Sequence, residues 1–257
     1  MNSIKLPWLD PDDQQAAFPA ADSALSDPEG LVAAGGDLKP ARLLRAYHEG
    51  LFPWYEKDQP ILWWSPNPRG VLYPKDFIAH RSLLRRIKQS SWKITYDQAF
   101  LQVMQACAEP RSNSRSTWIT KDMIQAYVNL FKLKYAHSIE VWNVNDELIG
   151  GVYGISIGTI FFGESMFSRT TDASKVALLY LSAYLDYWDY QIIDTQLPSP
   201  HLASLGGSRL SRERYLSLLK TLTQISCHPD AWTSVPDMNI FEWIEQKDQA
   251  LDSEPTS

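Results

Sequence analysis

Between residues 137 and 168 the apolar positions follow a strand pattern. SIEVWNVN and ELIGGVYGISIG flank Asn145-Asp146, a hairpin signal, and TIFFGESMFS follows a second turn at Gly158. DASKVALLYLSAYLDYW is then apolar over a length that suits a buried helix, with Asp172 as its N-cap. QIIDT is a short strand, SPHLASLGG a helical turn closed by glycine, and SRERYLSLLKTLTQ a final amphipathic helix. Antiparallel strands followed by a helix, a strand and helices make an α+β domain.

Upstream, KPARLLRAYHEG predicts a short helix. Pro40 suits its first turn, Leu43, Leu44 and Tyr47 have helical spacing, and Gly50 ends it. The next stretch, LFPWYEKDQPILWWSPNPRG, holds four prolines and three tryptophans, a density that excludes a long helix or a central strand. HRSLLRRIKQSSW predicts a helix with Arg81, Arg85 and Lys88 on one stripe, beside Arg86, and Leu84 and Ile87 on another. Residues before about 30 suggest an irregular arm, and residues after about 240 are polar and acidic enough to fray. The expected units are a small N-terminal α+β domain over 1–67, the main domain over 68–240, and a tail over 241–257.

Composition narrows the class. Hydrophobic residues make up 44% of the 257, with 10 Trp, which describes a globular chain with a substantial core. A formal charge of -6, from 24 Lys plus Arg against 30 Asp plus Glu, excludes a globally basic nucleic-acid binder and leaves room for a local basic patch such as the 81–88 stripe. The bland alternative for that stripe is a solvated helix face. Cys107 and Cys227 have no redox or metal spacing, and no apolar leader or membrane span is evident, so a reduced, cytoplasmic protein is expected.

Two places carry chemistry. Alternation in a strand puts Asp194 and Gln196 on one face and Thr195 on the other; a carboxylate and a carboxamide there can orient an amine or assist its proton, or simply cap the turn that follows. In FFGESMFS the same rule groups Phe162, Glu164, Met166 and Ser168, so one carboxylate sits between an aromatic ring and a thioether. It either faces solvent or binds a polar group in an apolar pocket. The glycines form no phosphate loop, and the five histidines show no paired ligand spacing, so neither a metal nor another cofactor is expected. Gly154-Ile155-Ser156-Ile157-Gly158 matches a serine nucleophile elbow only formally, inside a strand pair without the strand-turn-helix context.

The runs LVAAGGDLKPARLLRAYHEGLFPWY, PILWWSPNPRGVL, TWIT, AHSIEVW, LIGGVYG, FFGESMFSR, DASKVAL, IIDTQ and HLASLGG resemble, in order and over most of the chain, the leucyl/phenylalanyl-tRNA-protein transferases. The resemblance implies a GNAT-like acyltransferase domain and an aminoacyltransferase that moves Leu, Phe or less readily Met from aminoacyl-tRNA to the N-terminal Arg or Lys of a protein. The product would pass to ClpS and ClpAP for degradation in the bacterial N-degron pathway. An aminoacyl ester is already activated, so such a reaction needs no ATP, metal or nucleophilic cysteine.

By the same resemblance Asp194 and Gln196 hold the acceptor amine and assist proton transfer, and Glu164 belongs to the donor end. Met166, Leu181 and Leu185 would form the pocket for the donor side chain, with Trp54 and Trp118 stacking on adenine or walling the site. Arg81, Arg85, Arg86 and Lys88 would form the tRNA patch, touching phosphates without reading bases. A monomer is the default. The chain departs from the family at Thr195, where Cys is usual, and at Val152, where Met or Leu is usual. The first should be silent and the second should enlarge the pocket. A GNAT-type acetyl-coenzyme A enzyme is the nearest rival, but the [QR]xxGx[GA] loop is absent. A non-catalytic tRNA- or peptide-binding protein is the rival of another class.

Overall fold

A computed structural model describes residues 6–110, 117–234 and 238–253. Strands β1 (Trp8–Leu9), β2 (Leu31–Gly35), β3 (Phe52–Pro53) and β4 (Leu62–Trp64) form a four-stranded sheet in the order β1-β2-β4-β3, covered by helix α1 (Pro40–His48). The N-terminal arm is less irregular than its composition suggests. Arg42 and Arg45 of α1 donate to its carbonyls at Asp10, Asp13, Gln14 and Ala16, which fixes it to the helix.

The larger sheet has seven strands, β5 (Arg69–Leu72), β6 (Lys93–Tyr96), β7 (Ala136–Trp142), β8 (Leu148–Ile157), β9 (Ile160–Ser168), β10 (Ile192–Gln196) and β11 (Ser208–Leu210). Their order is β11-β5-β10-β9-β8-β7-β6, antiparallel except for the parallel pair β9 and β10. With helices α2 (Arg81–Gln89), α3 (Phe100–Cys107), α4 (Lys121–Lys132), α5 (Ala173–Tyr187), α6 (Pro200–Ala203), α7 (Arg212–Leu222) and α8 (Ile240–Ser253), the chain is a mixed α and β protein. No described helix is long and apolar enough to cross a membrane.

Alternation along the strands separates two cores. Phe162, Ile192 and Tyr153 join α1, α3, α4 and α7 on one face, and Phe161, Ile193 and Val152 join α5 and α8 on the other. The parallel step from β9 to β10 is made through α5, whose ten buried residues fill the second face.

Four expectations change. Ile240, Trp243 and Ile244 have helical spacing and are buried, and the Trp243 indole donates to Asp186 at 2.7 Å, so the chain beyond 240 forms α8 instead of fraying; residues 254–257, like 1–5, lie outside the described residues. The proline-rich stretch ends in β5, an inner strand. Pro60, Pro66 and Pro68 lie outside strands, and Pro53 is on the edge strand β3, so the prolines break no inner ladder. Asp172, at φ 70°, makes no capping bond to α5; its carboxylate takes Lys175 at 2.9 Å and Arg86 at 3.2 Å. In α2 the fully packed residue is Leu83, with Leu84 and Ile87 half-buried beside it.

Candidate active site

The ladder between β9 and β10 stops at the pair Phe162 and Asp194, and just beyond it both strands bulge. On β9, Tyr153 and Gly154 of β8 pair with Ser165 and Gly163, which leaves Glu164 as the extra residue. On β10, Asp194 and Gln196 pair with Val71 and Gly70, which leaves Thr195 as the extra residue, and Gln196 adopts φ +55°. Gly154 permits the first bulge, because a Cβ there would lie 2.1 Å from the carbonyl oxygen of Phe162.

These bulges break the period of two on which the sequence reading relied. Glu164 points to the face of α1 and α4, where the hydroxyls of Tyr47 and Tyr127 donate to its two carboxylate oxygens at 2.7 and 2.8 Å. Met166, expected on the same side, packs instead against the opposite core. Thr195, expected to turn away, lines both cavities of the site.

Glu164 has unusual acidity. Burial raises its pKa, the tyrosine hydrogen bonds and Arg69 oppose this, the charge of Asp194 adds to it, and the result is pushed up to about 7. The same carboxyl also has a place for that proton. Glu164, Tyr47 and Tyr127 make three mutual oxygen contacts, the last being 2.5 Å between the two hydroxyls. Two phenolic protons serve only two of them, and a proton on Glu164 serves the third. Burial, followed by the charge of Glu164, holds both phenols well above their ordinary pKa, so the third proton does not come from them.

Asp194 is fully buried and lines neither cavity. Arg69 donates to it twice, at 2.8 and 2.6 Å, and Tyr215 once, at 2.7 Å. Burial alone would lower the pKa of Arg69, but Asp194 and Tyr215 outweigh it and raise it above the ordinary value. The remaining contact of Asp194 is with the backbone N–H of Gln196 at 2.9 Å, inside β10, while the Ser199 side chain caps the helical turn that follows. The Gln196 side chain donates to Glu164 at 3.3 Å, which leaves its carbonyl oxygen for another donor.

Two cavities meet at Trp118, Glu164, Thr195 and Gln196. The first, about 210 Å³, is apolar at its far end, where Val152, Met166, Leu178, Leu181 and Ile193 line it. Leu185 lines neither cavity and is core; one and about two turns earlier on α5, Leu181 and Leu178 line the wall, as helical spacing allows. The second, about 250 Å³, is walled by Phe52, Trp54, Trp118 and Leu197. Trp54 is 41% exposed and rests on Trp64, with ring centroids 5.6 Å apart.

Arg81, Arg85, Arg86 and Lys88 are all exposed on α2. Arg86 is paired with Asp172, and Lys88 lies 4.9 Å over the ring of Phe241 in α8. Arg81 and Arg85 have no ion-pair partner among the described residues. No group of three or more His, Cys, Asp or Glu among the described residues is placed to hold a metal ion.

Sequence reasoning missed Arg69, Tyr47, Tyr127 and Tyr215. Arg69 had a usable signal, since it follows a proline in an apolar strand, where an unpaired cation is costly and a buried carboxylate partner is required. The tyrosines gave none, because aromatic residues at helical spacing look like core.

Residues 71–220 match the family model described as leucyl/phenylalanyl-tRNA protein transferase, and residues 36–67 match that of its N-terminal domain. The chain is similar to the leucyl/phenylalanyl-tRNA–protein transferase of Hahella chejuensis, 53% identical over 84% of this chain and 90% of that protein. It is also similar to that of Methylococcus capsulatus, 46% identical over 90% of this chain and 98% of that protein. A solved structure of L-PGS from Bacillus licheniformis aligns with TM-score 0.40 and 7% identity over 66% of this chain and 82% of that one.

Proposed function

This chain belongs to the leucyl/phenylalanyl-tRNA protein transferase family, and from that premise we propose that it moves Leu or Phe, and Met less readily, from aminoacyl-tRNA to the N-terminal Arg or Lys of a protein. The reading includes a monomer acting in the cytoplasm, a product handed to ClpS and ClpAP, and a GNAT-like domain over 68–240 beside a small domain over 1–67. The domain division is supported by the change of sheet between β4 and β5.

The observation that carries the reading is the meeting of an apolar cavity and an aromatic-walled cavity at Glu164 and Gln196. In it the donor's side chain lies against Val152, Met166, Leu178 and Leu181, and its terminal adenosine lies against Trp54 and Trp118. The ester carbonyl then falls where the cavities join. Arg81 and Arg85 hold phosphates of the tRNA; Arg86 and Lys88, already partnered, add to the local potential.

The acceptor amine attacks the ester carbonyl. A carbon–nitrogen bond forms, the bond to the ribose oxygen breaks, and one proton must pass from nitrogen to that oxygen. The free carbonyl oxygen of Gln196 accepts a hydrogen bond from the amine and orients it. Glu164 takes the proton, a carboxylate whose pKa near 7 suits the ordinary α-amino group at about 7.7–8. That proton completes the triangle with Tyr47 and Tyr127 and is then returned to the departing ribose oxygen. Asp194 touches no substrate in this scheme and acts by holding the Gln196 backbone.

The test is to incubate purified protein with Phe-tRNA and a peptide that begins with Arg, and to follow the peptide by mass. A gain of one phenylalanyl residue is expected. No gain while the tRNA stays charged contradicts the reading, and an acetyl gain from acetyl-coenzyme A replaces the donor.

A further inference from the structure

Building on that reading, we propose that Arg69 and Tyr215 are positioning residues for the transfer step, holding the Gln196 carboxamide at the junction of the cavities through the buried carboxylate of Asp194.

Gln196 sits at φ +55°, a conformation that an L-residue with a long side chain adopts only when its surroundings impose it. What imposes it is visible. The Gln196 N–H is held by Asp194 Oδ1, and both oxygens of that carboxylate are held by Arg69, with Tyr215 closing on Oδ2. The guanidinium is itself locked: Nη1 donates to the Gly50 carbonyl at 3.1 Å, and the group lies 4.5 Å over the Tyr215 ring and 5.1 Å over the Phe52 ring. Arg69 therefore ties three parts of the molecule to one carboxylate: β3 with the turn before it, β10, and α7.

The neighbouring residue serves the same end. A Cβ at Gly70 would lie 2.7 Å from the Pro198 nitrogen and 2.8 Å from both the Leu197 carbonyl carbon and Thr195 Oγ1, so only glycine lets the 195–198 turn close against β5. Arg69-Gly70 thus fixes the carboxylate below the bulge and makes room for the turn above it. A buried ion pair of purely structural value would not need its last acceptor site spent on a left-handed backbone at the cavity wall.

The test is a double-mutant cycle between Tyr215→Phe and Gln196→Ala, read as single-turnover Phe transfer from charged tRNA to an Arg-initiated peptide. Tyr215→Phe removes one bond to a charged group, and a rate loss of about tenfold is expected with the Michaelis constant for charged tRNA unchanged. In the Gln196→Ala background the same substitution should change the residual rate by less than about twofold, because the group being positioned is gone. Arg69→Lys, which keeps the charge and loses the two-pronged grip, repeats the cycle if Tyr215→Phe is poorly folded. A wild-type rate in the single variant, or the same fold-loss in both backgrounds, overturns the proposal. Absence of transfer by the wild-type chain overturns the functional reading and this inference together, whereas wild-type transfer with independent effects overturns only the inference.

Discussion

Replacing Glu164 by Gln should separate activity from stability in opposite directions, with a size set by the acidity of that carboxyl. In the fold the pKa rises from the ordinary 4.5 to about 7. At about 1.4 kcal/mol per pH unit, this corresponds to about 3 kcal/mol. Between these two values the folded chain keeps a proton that the unfolded chain releases, so folding stability falls as pH rises through the window and the loss is complete above pH 7. Activity runs the other way, because a proton acceptor must be ionised. The ionised fraction is about a tenth at pH 6 and about nine-tenths at pH 8. Glu164→Gln should therefore be more stable than wild type by about 3 kcal/mol at pH 8 and equal to it near pH 4.5. Its transfer rate should lose the rise centred near pH 7 and keep only the rise near 8 that the acceptor's own amine imposes. Denaturant unfolding and single-turnover transfer, both run from pH 5 to 8.5, measure the two. Equal pH dependence of stability in wild type and variant, or a rate midpoint that stays near 7 in Glu164→Gln, refutes the assignment.

Asp194→Ala should cost about 4 kcal/mol in denaturant unfolding, because it strands Arg69 as an unpaired buried cation, while Asp194→Asn should cost less. A loss under 1 kcal/mol for Asp194→Ala would show that the pair is not buried as described. Arg81→Ala with Arg85→Ala should raise the Michaelis constant for charged tRNA and reduce the slope of its logarithm against log salt by about 1.5, whereas unchanged values would return the stripe to a solvated face. Val152→Met should narrow the first cavity and lower transfer of Phe relative to Leu by roughly tenfold, read by competition between the two charged tRNAs; an unchanged ratio would remove Val152 from the pocket wall.

The sequence was legible where a simple period and the local composition agree. The hairpin at Asn145-Asp146, the long buried helix of 173–187 and the short helix opened by Pro40 all follow from local patterning, and the structure contains each of them. Reading of the site failed where the period breaks, because two of the irregularities in the sheets lie there. Glu164 and Thr195 are the extra residues of two bulges, so a strict alternation put Met166 on the face of Glu164 and turned Thr195 outward, whereas Met166 packs with the opposite core while still lining the first cavity with Glu164, and Thr195 is on the cavity wall. Asp194 stands out in the sequence as a carboxylate at the end of an apolar strand, but a buried partner 125 positions away in the chain, Arg69, decides what its carboxylate can do. α8 is a different case: Ile240, Trp243 and Ile244 do have helical spacing, but the acidic composition around them reads as a fraying tail, and the contact of Trp243 with Asp186, 57 positions away, is as silent in the sequence as that of Arg69 with Asp194. Such long-range contacts leave no periodic trace.

The central claim is that the donor's side chain and its adenosine occupy the two cavities and place the reacting carbonyl at Gln196. The most direct measurement is a crystal structure with a non-hydrolysable phenylalanyl-adenosine amide. The account predicts the phenyl ring against Val152, Met166 and Leu178, the adenine against Trp54 or Trp118, and the amide carbonyl beside Gln196 and Glu164. A ligand whose phenyl ring lies outside the first cavity, or whose carbonyl is remote from both Gln196 and Glu164, would contradict it.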